Sequence, residues 1–247
     1  MSAPIDELVI IPARYRSSRL PGKPLVDLEG KPMVVRTAER CLEVVEREQV
    51  IVATDDDRIA EACANYGIRY EMTRDDHPTG GDRVAEVAAR IPAKTYINVQ
   101  GDEPVFNPED LRVILKAARQ DRSRTFIGYC QMDEEQWKDS KYIKLLFGEN
   151  KQLIYIGRAR VPAGHSGEFT VGYRQVCVYA YPQEALQAFA APGRKTPLEQ
   201  IEDNEVMRFL ELGLPVQVLE MSDDSMPVDR PDDIPKVNQR LKELGLA

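Results

Sequence analysis

The residues best suited to chemistry form a cationic loop close to the start of the chain. Within ten positions this loop contains four cationic side chains and a glycine: Arg14, Arg16, Arg19, Lys23 and Gly22. Guanidinium forks and a lysine ammonium neutralise a polyphosphate, and glycine lets the backbone approach it. A plain solvated basic loop is the alternative, but it would not need Leu20 and Pro21 to fix its shape. The spacing therefore predicts a polyphosphate-binding loop.

A second chemically suited group is a carboxylate after a later apolar run. Asp102 follows the apolar segment 95–99 and lies between Gly101 and Pro104. A carboxylate at the carboxyl end of a buried strand is well placed to ligate a hard cation such as Mg²⁺. Taken alone, an aspartate that only shapes a turn is the alternative. Beside a triphosphate loop, the metal interpretation is favoured.

The elements that must position these residues alternate between strands and helices. Apolar segments at 8–11 and 50–54 and a short third segment at 69–72 predict parallel strands, and helices are predicted at 32–47 and 57–66 between them. This order is typical of βαβ units with right-handed crossovers. Open α/β sheets bind ligands beyond the carboxyl ends of their strands, so the cationic loop lies where a ligand is expected.

The rest of the chain continues the pattern and adds a less regular segment. Helices are predicted at 83–90, 108–119, 182–191, 197–208 and 231–243, and strands at 95–99, 125–131, 141–147, 152–156, 173–181 and 216–219. We therefore expect a single α/β domain over 1–247, built on an open, mostly parallel sheet flanked by helices. A smaller mixed β region is expected near residues 121–180.

The overall composition excludes some classes of partner. The formal net charge is -8 and the pI is about 5.0, which argues against nucleic acid as a partner. No apolar run approaches the ~20 residues that span a bilayer, and the first residues lack a basic-then-apolar signal. We therefore expect a cytoplasmic protein that binds neither nucleic acid nor membrane.

A glycine pair follows the third predicted strand. In the segment 77–83, Gly80 and Gly81 allow close contact with a base or ribose, and Arg83 can donate hydrogen bonds to it. A plain turn in which Asp82 caps the next helix explains the segment equally well. Both interpretations stay open on the sequence alone.

Several motifs resemble those of one enzyme family. Residues 14–25 have the pattern Arg-Tyr-x-Ser-x-Arg-Leu-Pro-Gly-Lys-Pro-Leu, which resembles the signature loop of sugar nucleotidyltransferases. In this form it is similar to the loop of the 3-deoxy-manno-octulosonate (Kdo) cytidylyltransferases, the CMP-Kdo synthetases. Gln-Gly-Asp-Glu-Pro at 100–104, Pro-Leu-Glu-x-Ile-Glu-x-x-Glu at 197–205 and Val-Asp-x-Pro-x-Asp at 228–233 follow in the family's order. The resemblance covers roughly residues 7–240.

The resemblance implies a reaction, a fold and a cofactor. CTP and a sugar acid, either Kdo or a related 2-keto-3-deoxy acid, would give a CMP-sugar and pyrophosphate. The fold would be that of the nucleotide-diphospho-sugar transferases, in a homodimer. Mg²⁺ would be held by Asp102 and Asp229. Nucleotidyl transfer consists largely of positioning and charge neutralisation, which these residue types can supply.

The resemblance also implies roles for individual residues. The expected catalytic residues are Arg14, Lys23, Asp102 and Asp229. The expected nucleotide-binding residues are Pro12, Ala13, Arg14, Arg19, Lys23, Thr54, Gly80, Arg83 and Gln100. The expected acceptor-binding residues are Arg158, Gln175, Tyr179, Glu202 and Glu205. Acceptor binding and dimerisation are assigned to a subregion at about 121–210.

Three positions on the expected acceptor side depart from the family. Gly157 stands where the family has Ser, Gln175 where it has His, and Val206 where it has Gln. A site built to pair hydroxyls discriminates strongly, so these changes predict an altered acceptor specificity. The acceptor stays open between Kdo, another 2-keto-3-deoxy sugar acid, an amino-sugar acid and a smaller acid such as a phosphonate.

Two functions of other classes are also considered. A metal-dependent glycosyltransferase of similar form would usually carry an Asp-x-Asp motif, whereas the run Asp55–Asp57 is interpreted as a helix start. A catalytically silent CTP-binding protein is disfavoured because Asp102, Asp229 and the cationic loop are all present.

Overall fold

The computed structural model describes residues 5–17 and 20–247. Within them lie a nine-stranded sheet with helices on both faces and a separate two-stranded hairpin, β2–β3. The strands are β1 (Ile5–Ala13), β2 (Asp27–Leu28), β3 (Lys31–Pro32), β4 (Val50–Thr54), β5 (Arg69–Met72), β6 (Ala93–Val99), β7 (Thr125–Met132), β8 (Lys144–Phe147), β9 (Leu153–Gly157), β10 (Gly172–Tyr181) and β11 (Val216–Glu220). The helices are α1 (Met33–Leu42), α2 (Asp57–Asn65), α3 (Gly80–Arg90), α4 (Pro108–Gln120), α5 (Glu134–Lys138), α6 (Gln183–Ala190), α7 (Pro197–Glu202), α8 (Val206–Glu211) and α9 (Ile234–Glu243).

The central part of the large sheet is parallel. Strands β6, β1, β4 and β5 lie side by side in this order and run in the same direction. Strand β10 pairs antiparallel with β6 on one side and with β7 on the other, and β11 pairs parallel with β7. Strands β8 and β9 branch from β10 as an antiparallel pair. The predicted α/β fold class is confirmed, and the predicted mixed region corresponds to β7–β10.

Burial on both faces explains why β1 is an unbroken apolar run. Val9 and Ile11 belong to a core formed with α1, α2 and α4, whereas Leu8 and Ile10 belong to a second core with α3, α6 and α8. All four side chains are fully buried. A strand covered on both faces needs no polar alternation. Hydrophobic burial thus fixes β1, and the cationic loop therefore begins at a rigid strand end.

The helix predicted at 83–90 begins earlier in the structure. It starts at Gly80, because the Thr79 hydroxyl accepts a hydrogen bond from the Asp82 N–H and caps the helix. The turn alternative with Asp82 as the cap is therefore wrong in its cap residue. The first turn of α3 is formed by the glycine pair itself.

The helix predicted at 197–208 is broken into α7 and α8. Asp203 has a left-handed backbone with φ 48°, which ends α7. The Asn204 side chain then accepts a hydrogen bond from the Val206 N–H at 2.9 Å and starts α8. Around the break, Glu202 contacts Arg158, Asn204 contacts Gln175 and Glu205 contacts Gly81.

Smaller differences concern other helix ends. The helix predicted at 32–47 ends at Leu42, and the helix predicted from 231 begins as a 3₁₀ turn at Pro231–Asp233 before α9. Helix α5 was not predicted. Among the described residues, no helix is both long and apolar enough to span a bilayer.

The register of the sheet brings several strand ends to one edge. Ala13 at the end of β1 pairs with Thr54 at the end of β4. On the side of β6 that does not face β1, Asn98 near the end of β6 pairs with Tyr179 of β10. Between Val176 and Tyr179 the pairing of β10 with β7 shifts register, which indicates a β-bulge. The segments after β1, β4 and β6 therefore open onto a common edge.

Candidate active site

Three of the expected catalytic side chains lie together at this edge. The Lys23 ammonium lies 2.5 Å from Asp102 Oδ2 and 3.2 Å from Asp229 Oδ1. Both contacts are hydrogen-bonded ion pairs. The Lys23 side chain is 16% exposed, and those of Asp102 and Asp229 are 26% and 38% exposed. Two aspartates far apart in the sequence thus share one cation close to solvent.

The end of β1 and a short turn position Lys23. After β1 the chain folds back, and the Gly22 N–H donates to the Tyr15 carbonyl at 3.1 Å. Gly22 has a left-handed backbone with φ 70°, which glycine adopts without steric cost. A 3₁₀ turn at Lys23–Leu25 follows, and the buried Pro24 anchors it. The backbone of Lys23 is therefore held in place while its side chain reaches the aspartates.

Asp102 lies in a turn that packs against β1. A side chain on the preceding Gly101 would place its Cβ 2.7 Å from the Pro12 carbonyl oxygen, closer than real Cβ atoms come. Only glycine therefore allows this approach. The Val228 N–H donates to the Asp102 carbonyl at 3.0 Å, which joins the turn to the segment that carries Asp229.

The segment that brings in the second aspartate is held mainly by side chains. Residues 222–229 form neither helix nor strand. The Ser222 N–H and hydroxyl donate to the two carboxylate oxygens of Asp110, at 2.8 and 2.7 Å. The Ser225 hydroxyl donates to the buried Glu103. These contacts with the region just after β6 explain how a late residue reaches the site.

Burial and charge together set the protonation of this cluster. Burial alone would lower the pKa of Lys23, but Asp102 and Asp229 outweigh it and raise that pKa. Lys23 therefore stays an ammonium. Beneath it, burial first and then the charge of Asp102 raise the pKa of Glu103 to about 8.

The donor atoms of this cluster fit a magnesium ion. Mg²⁺ takes oxygen ligands and is usually bound by one or two carboxylates together with substrate phosphates. Asp102 and Asp229 already share a cation, the Lys23 ammonium. Over residues 5–17 and 20–247, no group of three or more His, Cys, Asp or Glu side chains that could hold a metal ion is present. The assignment of Mg²⁺ to these aspartates stays a prediction.

Five of the expected nucleotide-binding residues surround one end of the sheet. A Cβ placed on Gly80 would lie 3.2 Å from Pro12 Cγ and 3.7 Å from Gln100 Oε1. Ala13 and Thr54 are paired in the adjoining strands. The glycine lets the start of α3 lie close to the end of β1 and to Gln100.

The three expected arginines of the nucleotide side differ in their surroundings. Arg14 is exposed and lines an open cavity of about 430 Å³ at the start of the cationic loop. Arg19 lies outside the described residues. Arg83 is buried, donates to the Thr73 hydroxyl and lies 3.5 Å from Asp55. Burial lowers the pKa of Arg83, and the charge of Asp55 opposes this. Arg83 thus braces the segment before α3, and its nucleotide contact stays a prediction.

Two expected acceptor residues form a buried network on β10. Gln175 Nε2 donates to the Tyr179 hydroxyl at 2.7 Å, and Asn204 Nδ2 donates to Gln175 Oε1 at 2.7 Å. All three residues are buried. Burial raises the pKa of Tyr179 well above its ordinary value, so it stays a neutral phenol. Asn204 was missed by sequence reasoning, although an Asp-Asn pair inside a helical pattern favours a turn.

Two further expected acceptor residues join β9 to α7. The Arg158 N–H donates to Glu202 Oε2 at 2.7 Å, and Arg158 Nε donates to the Glu202 carbonyl at 2.9 Å. Arg158 Nη1 donates to the Ser140 carbonyl at 2.9 Å. The Tyr155 hydroxyl also donates to Glu202, at 3.2 Å. The structure brings Arg158 and Glu202 together, and their contact with an acceptor stays a prediction.

Glu205 lies between the two groups of residues. Its carboxylate accepts from the Gly81 N–H at 2.8 Å and from the amides of Asn98 and Gln100 at 3.3 and 3.5 Å. Burial raises its pKa. An expected acceptor residue therefore also fixes the nucleotide-side glycine pair. Asn98 was missed, and its signal was a lone polar residue inside an apolar strand.

A buried arginine holds the nucleotide side against α7 and α8. Arg208 donates to both oxygens of Asp82 at 2.7 and 3.0 Å and to both oxygens of Glu199 at 2.7 Å. Its guanidinium also lies 3.9 Å from the centre of the Phe189 ring. Such bidentate pairs are among the strongest side-chain contacts. The start of α3 and the segment 199–208 are thus held as one unit.

This fold and site define a class of protein. A parallel sheet whose strand ends carry a cationic loop and two convergent aspartates is suited to transfer of a nucleotidyl group. The sequence model of the cytidylyltransferase family matches residues 8–218. The chain belongs to the cytidylyltransferase family and is therefore a nucleotidyltransferase.

Individual relatives narrow the resemblance. The chain is 35% identical over 237 residues to the 3-deoxy-manno-octulosonate cytidylyltransferase of Escherichia coli, covering 96% of each chain. It is 35% identical over 241 residues to the 8-amino-3,8-dideoxy-manno-octulosonate cytidylyltransferase of Shewanella baltica, covering 94% of this chain and 97% of that one. A solved structure of CMP:2-keto-3-deoxy-manno-octonic acid synthetase complexed with CTP matches with TM-score 0.90 and 33% identity, over 97% of this chain and 99% of that chain. The predicted resemblance to the CMP-Kdo synthetases is confirmed.

Proposed function

We propose that this protein is a Mg²⁺-dependent cytidylyltransferase that transfers CMP from CTP to Kdo or to its 8-amino analogue, releasing pyrophosphate. The observation that carries the proposal is the convergence of Asp102, Asp229 and Lys23 beside the cationic loop. Relatives that match nearly the whole chain are named for these two acceptors, which supports the choice.

The side chains present divide the work of the transfer. The acceptor hydroxyl oxygen forms the new bond to the α-phosphorus, and the bond to pyrophosphate breaks in line. Arg14 and Lys23 would neutralise the triphosphate and favour the departure of pyrophosphate. Asp102 and Asp229 would hold Mg²⁺, which when bound supplies positive charge at the phosphate and lowers the pKa of the attacking hydroxyl.

The acceptor side favours a ligand with several hydroxyls. Gln175, Asn204 and Tyr179 hold one another in fixed orientations through short hydrogen bonds. We propose that the acceptor contacts this buried group, whose fixed donors and acceptors would pair with hydroxyls and reject analogues that lack them. Arg158 and Arg160, on the segment after β9, would attract the carboxylate of the acceptor.

The test is a comparison of acids as acceptors. Purified protein with CTP and Mg²⁺ is given Kdo, 8-amino-Kdo, another amino-sugar acid or a small phosphonate, and pyrophosphate release is followed with mass spectrometry of the product. We expect one of the two octulosonic acids to exceed the others by about 100-fold or more in kcat/KM. A preference for the phosphonate would contradict the proposal that the acceptor is an octulosonic acid. CTP binding without any pyrophosphate release would indicate a silent binding protein.

We further propose a homodimer in the cytoplasm, with the 121–210 subregion as the contact. The proposal is supported by three large apolar side chains in that subregion that are strongly exposed, namely Ile154 at 65%, Leu198 at 50% and Ile201 at 75%. Contiguous exposed apolar patches often mark contact surfaces, and Leu198 and Ile201 lie three residues apart on α7, on one face of that helix. Light scattering at micromolar concentration should give twice the chain mass, and a monomer there would contradict the dimer.

A further inference from the structure

The position of Lys23 raises a conflict with its expected role. Its ammonium donates hydrogen bonds to both carboxylates that are proposed to hold Mg²⁺. Mg²⁺ binds carboxylate oxygens at about 2.0–2.1 Å and demands near-ideal octahedral geometry. The ammonium lies 2.5 Å from Asp102 Oδ2 and 3.2 Å from Asp229 Oδ1, so it bonds the carboxylates that would hold such an ion. Lys23 and the metal would therefore compete for the same two carboxylates.

The charges favour exchange over coexistence. A divalent ion added beside the ammonium would place two cations on the same pair of carboxylates. With Lys23 gone, the two carboxylates and Mg²⁺ sum to zero. Like charges a few ångströms apart repel strongly where solvent is partly excluded, and the Lys23 side chain is only 16% exposed.

The local structure allows Lys23 to move without the fold moving. Its backbone is fixed by the Gly22 turn and by the buried Pro24. Its side chain is long, flexible and a point charge that can change partners. Because Lys23 closes the same cationic loop that contains Arg14, a phosphate bound by this loop is the natural new partner.

We propose that Lys23 is an exchangeable counter-ion of the metal site. In the free protein it occupies the cation position between Asp102 and Asp229, and it moves to the triphosphate when the metal ion enters. This inference rests on the proposed function, because it takes the triphosphate and the metal from it.

Coupled binding of metal and nucleotide is the consequence. Without nucleotide, a divalent ion must displace the Lys23 ammonium from the carboxylates, and no phosphate is present to pair with that ammonium. The metal therefore binds weakly. With CTP present, the phosphates receive Lys23 and the metal binds more tightly. By linkage, the metal must tighten nucleotide binding by the same factor.

The test measures metal binding in the free protein, without turnover. Mn²⁺ is the probe, and its binding is followed by electron paramagnetic resonance in the absence of CTP. We expect Lys23→Gln to bind Mn²⁺ about ten-fold more tightly than the wild type, because the competing cation is gone. The same variant should bind CTP about ten-fold more weakly in the absence of metal. Unchanged or weaker Mn²⁺ binding by Lys23→Gln would overturn the proposal.

Two variants serve as matched controls. Arg14→Gln removes an exposed cation from the same loop and should weaken CTP binding while leaving Mn²⁺ binding unchanged. Lys23→Arg keeps the charge and should retain weak Mn²⁺ binding. An equal gain in Arg14→Gln would show a general charge effect and would contradict the exchange. Thermal unfolding of each variant establishes that the comparison is made between folded proteins.

The two proposals can fail separately. Mn²⁺ binding to the free protein needs neither acceptor nor reaction. If the wild type forms no CMP conjugate while Lys23→Gln still gains Mn²⁺ affinity, the proposed function fails and the counter-ion role stands. If conjugates form but Lys23→Gln shows no gain, only the counter-ion role fails.

Discussion

The proposed nucleotide–metal region and the proposed acceptor region of this protein are held in place by different kinds of contact. In the first, the ends of β1 and β6 carry the residues, and glycines let the backbones touch, as Gly101 does against Pro12. In the second, polar side chains from β9, β10 and the α7–α8 break hold one another, as Gln175 and Asn204 do. In the first region close backbone packing excludes any side chain at positions such as Gly101, whereas in the second the geometry depends on which polar side chains are present.

The largest effect on activity should come from breaking the metal region. Asp102→Ala removes one of the two carboxylates that share the cation, and we expect kcat to fall by about 10³-fold. The KM for the acceptor should change little, because the acceptor network does not include Asp102. Pyrophosphate release at saturating Mg²⁺ is the measurement. Turnover within a few-fold of the wild type would refute the metal role.

The largest effect on stability should come from removing the contact that joins the two regions. Arg208→Met leaves Asp82 and Glu199 as buried carboxylates without their partner, and we expect a loss of about 3–5 kcal/mol in the free energy of unfolding. Urea unfolding measures it. Lys31→Met is the matched control, since the Lys31–Glu39 pair is 37% and 38% exposed and should cost less than about 1 kcal/mol. Equal losses in both variants would contradict the special role of Arg208.

A narrower change should separate the acceptor region from the rest. Gln175→Met keeps the size of the side chain but removes its hydrogen bonds to Tyr179 and Asn204. We expect the KM for the acceptor to rise about ten-fold, because buried polar groups then lack partners. The KM for CTP is the internal control and should stay within two-fold or so of the wild type. A parallel rise in both values would mean that the two regions are not independent.

A pH-dependent effect on stability concerns the acid beneath the metal region. The folded protein raises the pKa of Glu103 from 4.5 to about 8, so it binds a proton more tightly than the unfolded chain does. The bound proton therefore contributes to the free energy of unfolding, fully below pH 4.5, and this contribution is lost as the pH rises through 8. Glu103→Gln should flatten that decline in stability, whose slope for one proton is about 1.4 kcal/mol per pH unit between the two pKa values. Urea unfolding across this pH range measures it, and an identical slope in the variant would show that Glu103 does not titrate as stated.

The contrast between the regions also explains what could be predicted from the sequence. The cationic loop and the turn at Asp102 are contiguous and follow strands fixed by burial, so their residues and place in the fold were predictable. The sheet class followed from the alternating apolar segments. Each of these features depends on residues that are close together in the sequence, so one segment is enough to predict it.

Contacts between distant polar side chains could not be predicted in the same way. Nothing adjacent to Ser222 indicates that Asp110 holds it, and nothing near Arg83 shows that it is buried against Asp55. The left-handed residue Asp203 breaks a pattern that is periodic on either side, so the helix 197–208 was predicted as continuous. Such features depend on the tertiary structure, which brings the partners together.

The β-bulge between Val176 and Tyr179 makes β10 an adjustable strand. Gln175 lies before the bulge, and Tyr179, paired with Asn98, lies after it. Because side chains alternate along a strand, we expect removal of one residue between Val176 and Tyr179 to change the face on which Gln175 lies relative to Tyr179. Changes of length at this point would therefore alter the proposed acceptor side and leave the proposed nucleotide side as it is.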